Sequence, residues 1–125
     1  MLKVKAIALI ILVFCISSMP AMATKRESVE WVEAHYSTEG TQWWDRHSLT
    51  NIENGIIRIR SKFISTTNNE DGTTIYFVMD IDCSRELFKD VYINGFQNLR
   101  ASWKSSKEDQ LVESVVNQAC LTKFI

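Results

Sequence analysis

Apolar and polar residues alternate in several short stretches of the chain, which is the pattern of β-strands buried on one face. Six such stretches, rich in β-branched and aromatic residues, span 29–36, 42–49, 56–64, 74–83, 87–93 and 99–103. Glycines stand between these stretches, at positions 40, 55, 72 and 95, where turns are expected. The pattern therefore predicts an antiparallel sheet of about six strands joined as a meander.

The third and fourth stretches predict a specific strand register, because both carry alternating charges. Placing Arg58 opposite Asp82 also sets Arg60 opposite Asp80, so that opposite charges meet on one face and apolar residues meet on the other. A slip by one residue would bring the arginines against apolar side chains. We therefore expect a solvated charge ladder on one face of this hairpin, with a polar turn at 68–72.

The period of the apolar positions changes near the C-terminus. One stripe follows the i, i+3, i+4, i+7 spacing of an amphipathic helix, and its members are Val112, Val115, Val116, Ala119 and Cys120. Ser105 and Glu108 have the spacing of a capping box, which marks the start of a helix. The sequence thus predicts a helix over 106–121, packed on one face of the sheet in an α+β fold.

The N-terminus has the features of a secretory signal peptide. A short basic region precedes an apolar run over 6–16, and Ala-Met-Ala at 21–23 is the small-x-small pattern that signal peptidase reads. We expect cleavage to remove 1–23 and to leave one mature domain over 24–125. An uncleaved membrane anchor is the alternative, but the apolar run is shorter than the roughly 20 residues that span a bilayer.

The mature chain is expected to carry no membrane or lipid anchor. Cys15 lies in the apolar run, but Phe14 directly before it is too large for a lipid-attachment site. We therefore expect a periplasmic or secreted protein. Cleavage removes two of the 14 basic residues and none of the 15 acidic ones, which gives a net charge of −3. A mildly acidic chain does not favour nucleic acid as a partner.

Two cysteines remain after cleavage, Cys83 and Cys120. Cys83 shares a strand face with Met79 and Ile81, and Cys120 lies on the apolar stripe of the predicted helix, so both point into the interface between sheet and helix. An oxidising compartment favours a disulfide between them, worth roughly 4 kcal/mol in the chain-entropy account. Two free thiols or a metal pair are the alternatives, although two cysteines are too few for a structural zinc site.

The acidic residues offer one candidate for catalysis. Asp80 and Asp82 share a strand face and could act as paired acid–base carboxylates. Ion pairs with Arg58 and Arg60 explain the presence of these two aspartates better than an acid–base role does. Alternatively, the two arginines could bind an acidic partner. No nucleophile elbow, phosphate-binding loop or haem-attachment motif occurs in the sequence. The sequence therefore predicts a protein that is not an enzyme and needs no cofactor.

His35 and His47 are the only histidines of the chain. Either could take part in a metal or catalytic site with Glu33 or Asp45 as a further ligand, so a periplasmic metal carrier or enzyme is one alternative function. Exposed polar positions at strand edges explain the same residues equally well. We therefore expect no metal site.

Tryptophan is abundant, with four residues in the chain. Trp43 and Trp44 are adjacent, and neighbouring strand residues face opposite ways, so one of them should lie in the core and the other should be partly exposed. Because tryptophan is enriched at interface hot spots, the exposed one is the candidate to contact a protein partner. Capping of the sheet edge, or a self-association surface, is the alternative.

An ordered set of residues carries a resemblance to a known family. The set comprises Trp31, Trp43-Trp44-Asp45, Ser48, Ile57-Arg58-Ile59, Asp82-Cys83, Tyr92-Ile93-Asn94-Gly95, Trp103 and Cys120. Over residues 31–120, this order resembles the surface-adhesin protein E family of Gram-negative bacteria. The resemblance implies an antiparallel sheet with a C-terminal helix tethered by a disulfide, in a small exported protein. We expect a non-enzymatic binding or structural protein, with a protein as its partner.

The same resemblance also sets an alternative function. The adhesin that gives the family its name binds host proteins and is a lipoprotein of the outer surface. Because the chain has no acylation site, we expect a soluble periplasmic or released protein instead of a displayed one. A host-protein-binding surface adhesin is the alternative, in one version as a homodimer joined at sheet edges.

Overall fold

A computed structural model describes residues 28–66 and 73–123. The predicted signal peptide over 1–23 and the predicted turn at 68–72 lie outside the described residues. The disulfide and the helix, by contrast, fall within them.

The described residues form an antiparallel sheet with one C-terminal α-helix. The elements are β1 (Trp31–Tyr36), β2 (Gly40–Glu53), β3 (Ile56–Ser65), β4 (Thr74–Asp82), β5 (Leu87–Ile93), β6 (Phe96–Gln97), β7 (Lys104–Ser105), a 3₁₀ turn (Ser106–Glu108) and α1 (Gln110–Thr122). The spatial order β1-β2-β3-β4-β5-β6 follows the chain, and β7 pairs with β5. The predicted α+β meander is therefore confirmed.

Two hairpin turns in the meander require glycine. Gly55, between β2 and β3, has φ of 77°, and Gly95, between β5 and β6, has φ of 81°. Residues other than glycine rarely adopt such angles. Gly40 differs from the prediction, because it is the first residue of β2 and a side chain there would clash with Phe63 and with the backbone of Ile64. Its role is close packing of strands.

The predicted sixth strand over 99–103 is wrong. The chain forms a turn there, flanked by the short strands β6 and β7. Asn98 drives this turn, because its side-chain amide donates to the carbonyl oxygen of Asp90 and its side-chain oxygen accepts from the backbone N–H of Arg100. Such local bonds from asparagine compete with strand pairing. Leu99, read as a strand residue, is 87% exposed.

The predicted register of the β3–β4 hairpin is wrong by two residues. Arg58 lies opposite Asp80, Ile56 lies opposite Asp82, and Arg60 lies opposite Val78. A shift by two leaves every side chain on its predicted face, so charged and apolar residues still segregate as expected. Arg60 has Val78 opposite it on β4 and binds a carboxylate on β2.

The apolar core lies between the sheet and α1. Its buried members are Trp44, Ile57, Ile59, Met79, Ile81, Phe88, Val115, Val116 and Ala119. The three helical residues come from the predicted apolar stripe, and α1 packs mainly over β1 and β2. Burial of this stripe fixes which face of the sheet the helix covers.

The start of α1 differs from the prediction. Asp109 has an extended backbone with φ of −138°, which separates the 3₁₀ turn from the α-helix. Its Oδ1 accepts a hydrogen bond from the backbone N–H of Leu111 at 2.9 Å, so Asp109 is the N-cap. Ser105 caps only the 3₁₀ turn. The predicted helix therefore begins four residues too early, at Ser106 instead of Gln110.

Cys83 and Cys120 form a disulfide, as predicted, with their Cα atoms 5.7 Å apart. Both residues pack against the apolar core. The bond joins the end of β4 to the last turns of α1. It therefore holds the helix on the sheet and removes both sulfurs as thiol nucleophiles.

Candidate binding surface

The face of the sheet opposite α1 carries aromatic and basic side chains that remain accessible. Trp31 on β1 and Tyr76 on β4 are neighbours here, with ring centroids 6.4 Å apart and planes inclined by 54°. Tyr76 is 51% exposed and Tyr92 on β5 is 38% exposed. We call this side of the sheet the open face.

A shallow groove runs across the open face. Its volume is about 250 Å³, and its lining includes Val29, Trp31, Arg60, Tyr76, Val78 and Tyr92. These residues come from β1, β3, β4 and β5 and from the segment before β1. The antiparallel meander thus assembles one aromatic surface from residues that lie far apart in the sequence. We call it the open-face groove.

Lys62 on β3 lies beside this groove and interacts with two tryptophans. Its Nζ is 4.3 Å from the ring centroid of Trp31 and 5.8 Å from that of Trp43. Both distances suit cation–π attraction. The ammonium group is therefore held over aromatic rings on the open face, where a ligand could also reach it.

Arg58 is fixed on the open face by two hydrogen bonds to Asp80. Its Nε donates to Oδ1 at 2.6 Å and its Nη2 donates to Oδ2 at 3.0 Å. The bond to Asp80 raises the pKa of Arg58 above its ordinary value, against the opposing effect of burial. The Asp80 side chain is only 7% exposed, whereas that of Arg58 is 38% exposed. The guanidinium is thus both oriented and accessible.

Arg60 is oriented by Asp45 on β2. Its Nη2 is 2.9 Å from Oδ2 of Asp45, whose side chain is fully buried. Oδ1 of the same carboxylate accepts the backbone N–H groups of Glu30 and His47, each at 3.0 Å. Asp45 therefore ties the segment before β1 to the irregular middle of β2. The sequence pattern does not predict this role, because Glu30 and Arg60 each lie 15 residues away from Asp45 in the chain.

The two adjacent tryptophans divide as predicted. Trp44 is 2% exposed in the core, and its Nε1 donates to Oε1 of Gln118 on α1 at 2.9 Å. Trp43 lies on the open face, half-buried beneath Lys62. Its Nε1 has no hydrogen-bond partner among the residues that the structure describes. Of these two tryptophans, only Trp43 lies where it could touch a partner. A role in partner contact therefore stays a prediction for Trp43 and is dropped for Trp44.

The structure keeps the two histidines apart. His35 pairs with Gln42, and His47 lies five residues further along β2, a rise of roughly 17 Å. His47 binds Glu30 at 2.8 Å through Nε2, and its Nδ1 contacts the carbonyl oxygen of Ser28 at 2.6 Å. Within the described ranges, no group of three or more His, Cys, Asp or Glu side chains is arranged to hold a metal ion.

The two aspartates of β4 do not form a free carboxylate pair. Asp80 is bound by Arg58, as described above. Oδ1 of Asp82 accepts from the Ser84 hydroxyl at 2.9 Å, and its Oδ2 lies 3.5 Å from Nε of Arg85. The predicted pairs Arg58–Asp82 and Arg60–Asp80 are therefore wrong, and each carboxylate is engaged with a different cation.

Comparison with known proteins gives a family for the chain. A family description entitled surface adhesin-E family matches residues 32–124. No curated protein and no solved structure matches the chain.

In the part of the chain that the structure describes, no helix is long and apolar enough to cross a membrane.

Proposed function

Because the chain belongs to the surface adhesin-E family, we propose that it is an exported, non-enzymatic protein that binds another protein through the open face of its sheet. One observation carries this proposal. Trp31, Tyr76 and Tyr92 form an accessible aromatic groove beside three basic residues on β3. Tyrosine, tryptophan and arginine are the residues most enriched at protein interfaces.

The arrangement of the cations supports a protein partner. Arg58 and Arg60 are held by carboxylates that are themselves nearly or fully buried, so the guanidinium groups are already ordered before binding. Ordered side chains lose less conformational entropy when a partner docks. Trp31, Tyr76 and Tyr92 lie beside these cations and supply apolar area for the centre of an interface. The open face therefore suits a partner segment with apolar and acidic side chains.

Export is part of the proposal. The signal-peptide pattern at 1–23 and the Cys83–Cys120 disulfide both fit an oxidising compartment outside the cytoplasm. We propose a periplasmic or released protein. Intact-mass measurement of the purified native protein tests this, because cleavage after Ala23 gives a chain that begins at Thr24 and contains one disulfide. A native protein that retains Met1 would contradict it.

Site-specific photocrosslinking tests the binding proposal in living cells. A benzophenone amino acid replaces Tyr76 on the open face in one variant and Leu121 on α1 in the control. Leu121 is a matched position because it is 70% exposed and lies on the opposite side of the sheet. We expect a defined protein adduct from position 76 only. Absence of any adduct at 76, or the same adducts from both positions, would contradict the proposal.

The identity of the crosslinked partner also distinguishes binding within the cell envelope or medium from adhesion to host proteins at the cell surface. A partner from the cell's own envelope supports a periplasmic or released role. An adduct formed only with host proteins supports surface adhesion, and protease treatment of intact cells should then degrade the protein. Protection from that protease would exclude surface display.

A further inference from the structure

A second cavity lies on the other side of the sheet, beside the start of α1. Its volume is about 340 Å³, within the range of sites that hold small molecules. Residues of β3, β4 and β5 form its floor, and residues of α1 form one wall. It is separated from the open-face groove by the thickness of the sheet. Neither the family match nor the proposed function assigns it a role.

The floor of this cavity is aromatic. Phe63, Phe77 and Phe88 line it together with Met79 and Val112. Phe63, Phe77 and Met79 project from the apolar face of the hairpin, and Phe88 is 9% exposed. Ring faces carry partial negative charge, and they attract cations that lie over them.

Asp90 places a carboxylate against this aromatic floor. It pairs with Met79 across the β4–β5 ladder and lines the same cavity. Burial raises the pKa of Asp90 above its ordinary value, and the nearby Lys104 charge opposes that effect. Among residues 28–66 and 73–123, no donor hydrogen-bonds to its side chain. Such a partly desolvated carboxylate gains most from a cationic partner.

Two further carboxylates stand around the cavity. Glu39 is exposed and Asp109 caps α1, with one oxygen engaged by the backbone N–H of Leu111. Three acidic groups make the cavity unfavourable for an anion. A neutral ligand would leave the Asp90 carboxylate balanced only by the nearby Lys104 charge. A bare metal ion fits poorly, because the aromatic floor offers no ligand atoms and the described residues form no metal-binding group.

We propose that this cavity binds an organic ammonium ion with a compact apolar body. The phenyl rings contact the alkyl groups around the nitrogen, and Asp90 neutralises its charge. A quaternary ammonium group fits best, because it needs no hydrogen-bond acceptor and presents methyl groups to the rings. The acidic groups also repel phosphate. An organic ammonium compound without a phosphate group should therefore bind more tightly than one that carries a phosphate.

Choline and its neutral isostere 3,3-dimethylbutan-1-ol provide a direct test with the mature, oxidised protein. ¹³C-methyl NMR follows Met79 and Val112, which line the cavity. We expect choline to shift both methyl signals in a saturable manner and to bind at least tenfold more tightly than the neutral alcohol. Phosphocholine should bind more weakly than choline. Equal affinity for choline and the alcohol would overturn the proposal, as would shifts confined to other methyl groups.

Two variants and one control complete the experiment. Asp90→Asn removes the charge with little change in shape and should weaken choline binding at least tenfold. Phe63→Leu removes one ring and should weaken binding of choline more than binding of the alcohol. Glu53→Gln removes one acidic charge from the exposed end of β2, so its affinity should stay within twofold of wild type. Wild-type affinity in Asp90→Asn would overturn the proposal, provided its thermal melt shows a folded protein.

Discussion

Arg60 on β3 reaches Asp45 on β2, with 2.9 Å between Nη2 and Oδ2, and the Asp45 side chain is completely buried. The same carboxylate accepts the backbone N–H groups of Glu30 and His47. Three donors thus converge on one buried anion next to the open-face groove. This carboxylate sets the position of the Arg60 guanidinium and of the segment that precedes β1.

Replacement of Asp45 should therefore destabilise the fold. Asp45→Ala removes the acceptor of two backbone N–H groups and the partner of Arg60, and we expect a loss of about 2–3 kcal/mol. Urea unfolding followed by tryptophan fluorescence measures the change. Lys107→Ala is the control, because its ion pair with Glu86 is exposed on both sides, at 69% and 47%, and its loss should change stability much less. Similar losses in both variants would contradict the role assigned to Asp45.

The contact between Trp44 and Gln118 should contribute to the docking of α1. Gln118 accepts from Nε1 of Trp44 and donates to the carbonyl oxygen of Ala34 at 3.2 Å. We expect Gln118→Ala to cost about 1–2 kcal/mol, because it leaves the Trp44 N–H without a partner. Asn117→Ala, on the exposed side of the same helix, should change the free energy of unfolding by less than about 0.5 kcal/mol. An equal effect of the two substitutions would refute this contact.

Reduction of the disulfide should lower stability more than either substitution above. Cys83 and Cys120 are separated by 37 residues, and a closed loop of that size is worth roughly 4 kcal/mol. Urea unfolding of the oxidised protein and of the double variant Cys83→Ser/Cys120→Ser measures the difference. We expect a large fall in the unfolding midpoint. An unchanged midpoint would show that packing alone holds α1 on the sheet.

The charge of Asp90 should make stability depend on pH. Burial raises its pKa in the folded protein, so the folded state binds a proton more readily than the unfolded state does. The contribution of Asp90 to stability is therefore favourable at low pH and is lost as pH rises from its ordinary value of 3.8 through the raised folded pKa.

Comparison of Asp90→Asn with the wild type isolates this effect. At pH 7 the variant should melt at a higher temperature, because an amide avoids burial of a charge. The advantage should shrink below about pH 4, where the wild-type carboxyl is also neutral. Thermal melts at several pH values provide the measurement. A variant less stable than wild type at pH 7 would show that the Asp90 charge is compensated.

Alternation along the strands predicted which face each residue occupies, but not which residues pair. The charged residues of β3 and β4, such as Arg58 and Asp80, lie on one face as predicted, and the apolar residues of both strands lie on the other. This follows because side chains alternate strictly along a strand. A two-residue shift preserves all faces, so the pattern could not choose between the two registers. The ion pair between Arg60 and Asp45 spans β3 and β2, so alternation along β3 and β4 could not reveal it.

The candidate sites likewise combine features that the sequence predicts with features that only the tertiary structure gives. Adjacency of Trp43 and Trp44 predicted that one would be buried, but nothing local indicated which. The open-face groove combines residues of four strands and the segment before β1, and the second cavity brings Asp90 against phenylalanines of two other strands. Turns such as the one at Asn98 depend on side-chain hydrogen bonds to a neighbouring strand. Local propensity does not contain that information.

Affinity for the crosslinked partner tests the central claim, that the open face is the binding surface. Tyr76→Ser and Tyr92→Ser together remove two exposed rings of the groove, whereas Leu121→Ser removes an exposed apolar side chain from α1. With the partner purified, isothermal titration calorimetry gives the dissociation constant for each variant. We predict at least a tenfold loss of affinity for the double tyrosine variant and less than a twofold change for Leu121→Ser. Unchanged affinity in the double tyrosine variant, with its fold intact, would contradict the account.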